Sequence, residues 1–95
     1  MKVRYTEPAA LELDESISYL RDNAPAVVAA FADSIDDAVA QLLEHPWSAQ
    51  ETEMRGVRRK YIRRFRYVIF YAVEDDEVVI LHIRHAARRW PWVEE

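Results

Sequence analysis

The chain has 95 residues, 51% apolar and 12% aromatic, with a formal net charge of −4. That is enough apolar matter for a single small domain over residues 1–95 and too much for a disordered chain. It has no cysteine and one glycine, Gly56, which excludes disulfide and thiolate chemistry and the glycine-rich phosphate loops of nucleotide-dependent enzymes.

The opening MKVRYTEP has no apolar leader and no run reaches membrane-span length, so a cytoplasmic protein with no membrane partner is expected. Lys2 to Tyr5 alternates apolar and basic residues and reads as a brief strand. Thr6 is placed to cap a helix from Glu7, and Pro8 is tolerated in its first turn. Ala10, Leu13, Ile17 and Leu20 then recur at helical spacing. Asn23-Ala24-Pro25 ends this helix and starts another. Val28, Phe31, Ile35, Ala38 and Leu42 form the second stripe, Asp33, Asp36 and Asp37 the wet face, and His45-Pro46 the stop.

Residues 46–56 read as a polar loop anchored by Trp47. The period then changes to two, which predicts strands over Val57 to Ile62, Phe65 to Glu74 and Glu77 to His85. Arg63-Arg64 and Asp75-Asp76 fall at tight connections, so these three strands form an antiparallel meander. The runs at residues 67–71 and 78–81 are nearly all apolar, as suits strands central in a sheet. The fold class is α+β, ordered β-α-α-β-β-β, with a helical hairpin on one face of a mainly antiparallel sheet.

Charge is divided along this order. Residues 1–54 carry three basic and eleven acidic side chains, a balance of −8; residues 55–95 carry ten and six, a balance of +4. Segregation of this kind serves a partner more often than it serves folding. The basic cluster is Arg55, Arg58, Arg59, Lys60, Arg63, Arg64 and Arg66. Alternation puts Arg58 and Lys60 on one strand face and Arg59 and Tyr61 on the other, so helices covering one face leave half of these cations on a shared surface. Such a surface suits phosphates or an acidic peptide. Tyr61, Tyr67 and Tyr71 interleave with it; Tyr71 reads as core packing.

A second group is His82, Arg84, His85, Arg88 and Arg89. His85 with Arg88 and Arg63 would supply part of the acid–base and cationic set that a ribonuclease needs. His82 and His85 differ in parity and face opposite ways, and His45 lies far off, so no metal site and no cofactor is expected. The aromatic tail Trp90-Pro91-Trp92-Val93 either folds back over the sheet or meets a second chain.

In order and in residues the chain resembles the RelE/ParE superfamily of toxins from bacterial type II toxin–antitoxin modules. The resemblance rests on Val3-Arg4-Tyr5-Thr6-Glu7-Pro8-Ala9 with Leu13 and Asp14, on His45-Pro46, on Val57-Arg58-Arg59, and on Arg64-Phe65-Arg66-Tyr67-Val68-Ile69-Phe70-Tyr71. It ends with Val79-Ile80-Leu81-His82-Ile83-Arg84-His85-Ala86-Ala87-Arg88. Relatives commonly have glycine where Arg63 stands, so a tighter or bulged hairpin is expected here.

The resemblance implies growth arrest and neutralisation by a cognate antitoxin, and leaves open a homodimer or a toxin–antitoxin hetero-oligomer. ParE-like members poison DNA gyrase; RelE-like members cut messenger RNA on the translating ribosome. The RelE-like site often has a tyrosine near the C-terminus, and none follows Tyr71. The Pro-containing opening and the His-Ala-Ala-Arg ending are more ParE-like, so gyrase inhibition is the favoured expectation. The alternative is a metal-independent endoribonuclease with Arg58, Lys60, Arg63, His85 and Arg88 as its catalytic set. Arg59, Tyr61, Arg64 and Trp90 are the expected antitoxin contacts, because they combine charge with apolar area.

Overall fold

The computed structural model describes residues 1–92. Strand β1 (Lys2–Tyr5) leads into α1 (Glu7–Asn23), a 3-10 turn (Pro25–Val27) and α2 (Val28–Glu44). β2 (Gln50–Glu51), β3 (Arg58–Ile62), β4 (Tyr67–Glu74) and β5 (Glu77–His85) follow. The sheet order is β1-β5-β4-β3-β2. β1 runs parallel to β5, and the other neighbours are antiparallel. The architecture is thus α+β, with both helices on a mixed, mostly antiparallel sheet.

Thr6 serves two elements at once. Its Oγ1 accepts the Ala9 N–H at 3.3 Å, capping α1, and donates to the Leu81 carbonyl at 2.9 Å. Its own N–H reaches the Ile80 carbonyl at 3.0 Å. The buried face of α1 carries Ala9, where the stripe predicted Ala10, followed by half-buried Leu13, Ile17 and Leu20. Pro25 does start new helical structure, but as the 3-10 turn, so α2 begins at Val28.

Phe31, Ile35 and Leu42 of α2 pack on Ile69, Tyr71, Ile80 and Ile83 of the central strands, all essentially inaccessible to water. Phe31 meets the edges of Phe65 at 5.4 Å and Tyr67 at 4.9 Å. The Tyr71 hydroxyl donates to the Pro46 carbonyl at 2.8 Å and so ties β4 to the end of α2. Val68, Phe70 and Val79 are buried on the opposite sheet face.

Three local details differ from the sequence pattern. The loop at 46–56 contains the two-residue β2, and Gly56 (φ +80°) turns the chain into β3 with Val57 N–H bonded to the Met54 carbonyl. Phe65 plugs the core beside Phe31 instead of starting β4. Arg63–Arg66 form a four-residue turn closed by the pair Ile62–Tyr67, and its left-handed residue is Arg66 (φ +58°), not Arg63. A bulge also interrupts the β4–β5 ladder: Phe70 pairs with His82 but Tyr71 with Ile80. That extra residue lets Ile80 and Ile83 face the same core despite opposite parity.

Phe31→Ala should lower unfolding stability by roughly 3–5 kcal/mol in urea titration, a large share of what so small a domain has. Burial pushes the Tyr71 phenol above its ordinary value of about 10, with Arg58 pulling the other way; burial and Asp36 likewise raise Tyr5. These phenols ionise later in the folded chain than in the unfolded one. Their contribution is therefore complete below pH about 10 and lost as pH rises further. Thermal midpoints should fall across that alkaline window, and fall less steeply in Tyr71→Phe.

Candidate functional site

The strand register sorts the basic cluster. Arg58 and Lys60 stand opposite Tyr71 and Ile69, on the helix side; Arg59 and Tyr61 stand opposite Phe70 and Val68, on the other. Arg58 is engaged by the loop that follows α2. Its Nη1 donates to the carbonyls of Trp47 (3.0 Å) and Ala49 (2.7 Å), and its Nη2 to Glu51 at 3.1 Å. The guanidinium also lies over the Trp47 ring at 5.1 Å. Only 18% of this side chain is exposed, so Arg58 pins a loop.

On the opposite face Arg59 donates to the Gln50 side chain at 2.8 Å and covers the Trp90 ring at 5.1 Å. Trp90, Trp92 and Phe70 meet edge to face at 5.4–5.5 Å, and Trp92 Nε1 donates to Glu53 at 3.0 Å. The tail therefore folds back over the sheet as far as residue 92; Val93, read as part of it, lies outside the described residues. Between tail and sheet is an apolar cleft of about 430 Å³ bounded by Pro8, Phe70, Leu81 and Trp92, with His82 at its wall.

His82 and His85 do point apart. On the His82 side a carboxylate that sequence reasoning missed gathers three donors: Glu12 of α1 accepts from the Ile83 N–H (3.1 Å) and Arg84 Nε (2.7 Å), and faces His82 Nδ1 at 3.0 Å. In the sequence Glu12 is one of several acids flanking the α1 stripe, and nothing marks it out. Arg84 Nη1 also holds the Arg89 carbonyl at 3.1 Å, which anchors the start of the tail. His85 accepts the Ala87 N–H on Nδ1 at 3.0 Å and lies edge-on to Tyr67 at 5.5 Å. That acceptor role leaves any ring proton of the neutral form on Nε2.

The Ala86 N–H bonds to the Arg66 carbonyl at 2.6 Å, so the β3–β4 turn and the chain after β5 share one end of the sheet. Arg63, Arg66 and Arg88 are exposed there with no carboxylate within ion-pair reach among the described residues, and Arg64 lies over Phe65 at 5.2 Å. Of the five residues in the candidate catalytic set, Arg63, His85 and Arg88 lie at this end of the sheet and Lys60 leads toward it. Arg58 stands at the other end of β3, four residues from Ile62 and thus about 13 Å away. Of the candidate antitoxin contacts, Arg59 and Trp90 touch, Tyr61 is 49% exposed on the same strand, and Arg64 lies in the turn.

A helical hairpin laid on a sheet of this order, with an arginine-rich third strand and hairpin, defines a RelE/ParE-type toxin fold. A family model, ParE toxin of the type II toxin–antitoxin system parDE, matches residues 3–90. The chain belongs to this family and is a type II toxin of the RelE/ParE superfamily. Toxin ParE2 of Mycobacterium tuberculosis is 31% identical over 74 residues, which is 78% of this chain and 70% of the relative. The chromosomal ParDE system of P. aeruginosa is similar in structure with a TM-score of 0.78 at 23% identity, covering 90% of this chain and 95% of that one. The RelBE2 toxin–antitoxin complex of Mycobacterium tuberculosis gives 0.61 at 26% identity, with 92% of each chain covered. The intact E. coli RelBE complex gives 0.66 at 19%, covering 92% and 98%.

Glu12→Ala would leave the Arg84 guanidinium and the Ile83 N–H without their acceptor in a site that is 12% exposed at Glu12. A loss of about 2–3 kcal/mol is expected in urea unfolding, against no more than about 0.5 for the exposed neighbour Glu15→Ala.

Proposed function

We propose that this toxin arrests growth by binding DNA gyrase, in the ParE manner, and that a cognate antitoxin neutralises it in a hetero-oligomer. Membership of the ParE family supports the target, and the P. aeruginosa and E. coli neighbours are toxin–antitoxin systems. The observation that carries the reading is the state of Arg58. An endoribonuclease would need Arg58, Lys60, Arg63, His85 and Arg88 to converge on one phosphate. Arg58 instead spends its donors on two main-chain carbonyls and Glu51, far along β3 from Arg63. A surface that binds protein makes no such demand.

The antitoxin would meet the face where Arg59, Tyr61 and Trp90 present charge and aromatic area side by side. Both candidate targets would place the toxin in the cytoplasm, and among the described residues no helix is long and apolar enough to cross a membrane.

Purified toxin should inhibit supercoiling by gyrase in vitro, and the double variant His85→Ala/Arg63→Ala should still arrest growth. Primer extension on translating ribosomes should show no codon-linked cuts. Full supercoiling at saturating toxin, together with such cuts, would replace this reading with the ribonuclease.

A further inference from the structure

Trp47, in the turn after α2, is 63% exposed and takes no part in the core. Its backbone is nevertheless tied down on both sides. Arg58 Nη1 donates to the Trp47 carbonyl at 3.0 Å and the Tyr71 hydroxyl to the Pro46 carbonyl at 2.8 Å. Ser48 gives both its N–H and its hydroxyl to the His45 carbonyl. The Arg58 guanidinium then lies over the indole at 5.1 Å. Tyr19 on α1 is as exposed, at 66%, but nothing among the described residues holds its ring. A large ring kept in water yet already fixed in place has lost the freedom that association would otherwise remove. Buried in a partner, such a ring is the kind of side chain that dominates an interface.

Beside the indole is a hollow of about 290 Å³ bounded by Trp47, Glu51, Thr52, Arg55, Arg58 and Val73. Two guanidiniums and one carboxylate leave its wall with a balance of +2 − 1 = +1. Glu51 is taken by Arg58 at 3.1 Å. Arg55 is exposed, and neither it nor Trp47 Nε1 has a polar partner among the described residues. The hollow therefore offers one unused cation, one unused indole N–H and an aromatic face.

We propose that this hollow is where the toxin grips gyrase: a partner carboxylate enters against Arg55, and an apolar side chain next to it lies on the indole face that Arg58 leaves open. The inference rests on the gyrase reading and adds to it the surface and the chemistry of contact. Arg58 stands opposite Tyr71, on the helix side of the sheet, whereas Arg59 and Tyr61 stand on the other face with the antitoxin contacts. A single net positive charge suits one carboxylate. A nucleic acid would set a row of phosphates against Glu51 and finds more cations at the hairpin end. A second copy docked here about a twofold axis would bring its own Arg55 against this one.

The test measures binding of purified variants to immobilised gyrase, together with antitoxin affinity and thermal midpoint. Trp47→Ala and Arg55→Glu should each bind gyrase about tenfold or more weakly and inhibit supercoiling correspondingly less, with antitoxin affinity unchanged. Trp47→Phe, which keeps a ring, should lose less, and Tyr19→Ala should lose nothing. A wild-type chain that does not bind gyrase removes the gyrase reading and this site with it. A wild type that binds, while either folded variant binds equally well, overturns this site alone. Should Trp47→Ala fail to fold, Arg55→Glu decides. Losses that appear in antitoxin binding, in binding to a duplex oligonucleotide or in self-association, with gyrase binding intact, give the surface to that other occupant and the proposal fails.

Discussion

Strands of unequal length leave unpaired edges, and the structure turns on how each edge is met. β5 has nine residues but β1 only four, so the second half of the β5 edge has no strand beside it. Side chains from the start of α1 fill the gap: Thr6 takes the Leu81 carbonyl and Glu12 takes the Ile83 N–H. A buried edge without such partners would cost about 1–3 kcal/mol for each unsatisfied group. This requirement fixes α1 along β5, which in turn sets where α2 and its Phe31 meet the sheet.

The same carboxylate decides which cations remain available. Glu12 binds Arg84 and faces His82, so neither is free for a ligand in this state. Arg84 passes the constraint on through the Arg89 carbonyl to the tail, whose tryptophans cover Phe70. Arg58 is likewise taken by the loop after α2. The positive balance of the second half of the chain is therefore spent unevenly. Among the described residues it stays unpaired at the hairpin end, around Arg63, Arg66 and Arg88, while the acidic helices keep the −8 of the first half. A molecule polarised in this way orients a charged partner before contact.

Element order, the two amphipathic helices and the central strands were legible in the sequence because each rests on a short-range period or a local stop. Thr6, Pro8, His45-Pro46 and the paired apolar runs act within a few residues of themselves. The α+β class follows from them. What stayed hidden depends on contacts between distant residues. Glu12 meets residues 82–84 across some seventy positions, and its role comes from the length mismatch of two strands, which no periodicity reports. The bulge at Phe70/Tyr71 hid in the same way, since it reverses the facing of Ile80 relative to Ile83 without changing the apolar run. In the site, face assignment by alternation correctly separated Arg58 from Arg59. Alternation gave no hint that Arg58 would reach back to Trp47 and Ala49, because that loop's path depends on Tyr71 holding Pro46.

The two edges show one rule applied with opposite results. At β5 the missing strand is replaced from within the chain, by groups that complement both the main chain and the adjacent cations. At β3 the replacement ends where Gln50 stands opposite Arg59, and the cations farther on, Lys60 and Arg63, have no carboxylate in reach among the described residues. An internal acid in that position, as Glu12 is for Arg84, would close the second edge in the same way; the short β2 does not extend far enough to supply one. A charged, open edge also resists pairing with its own copies.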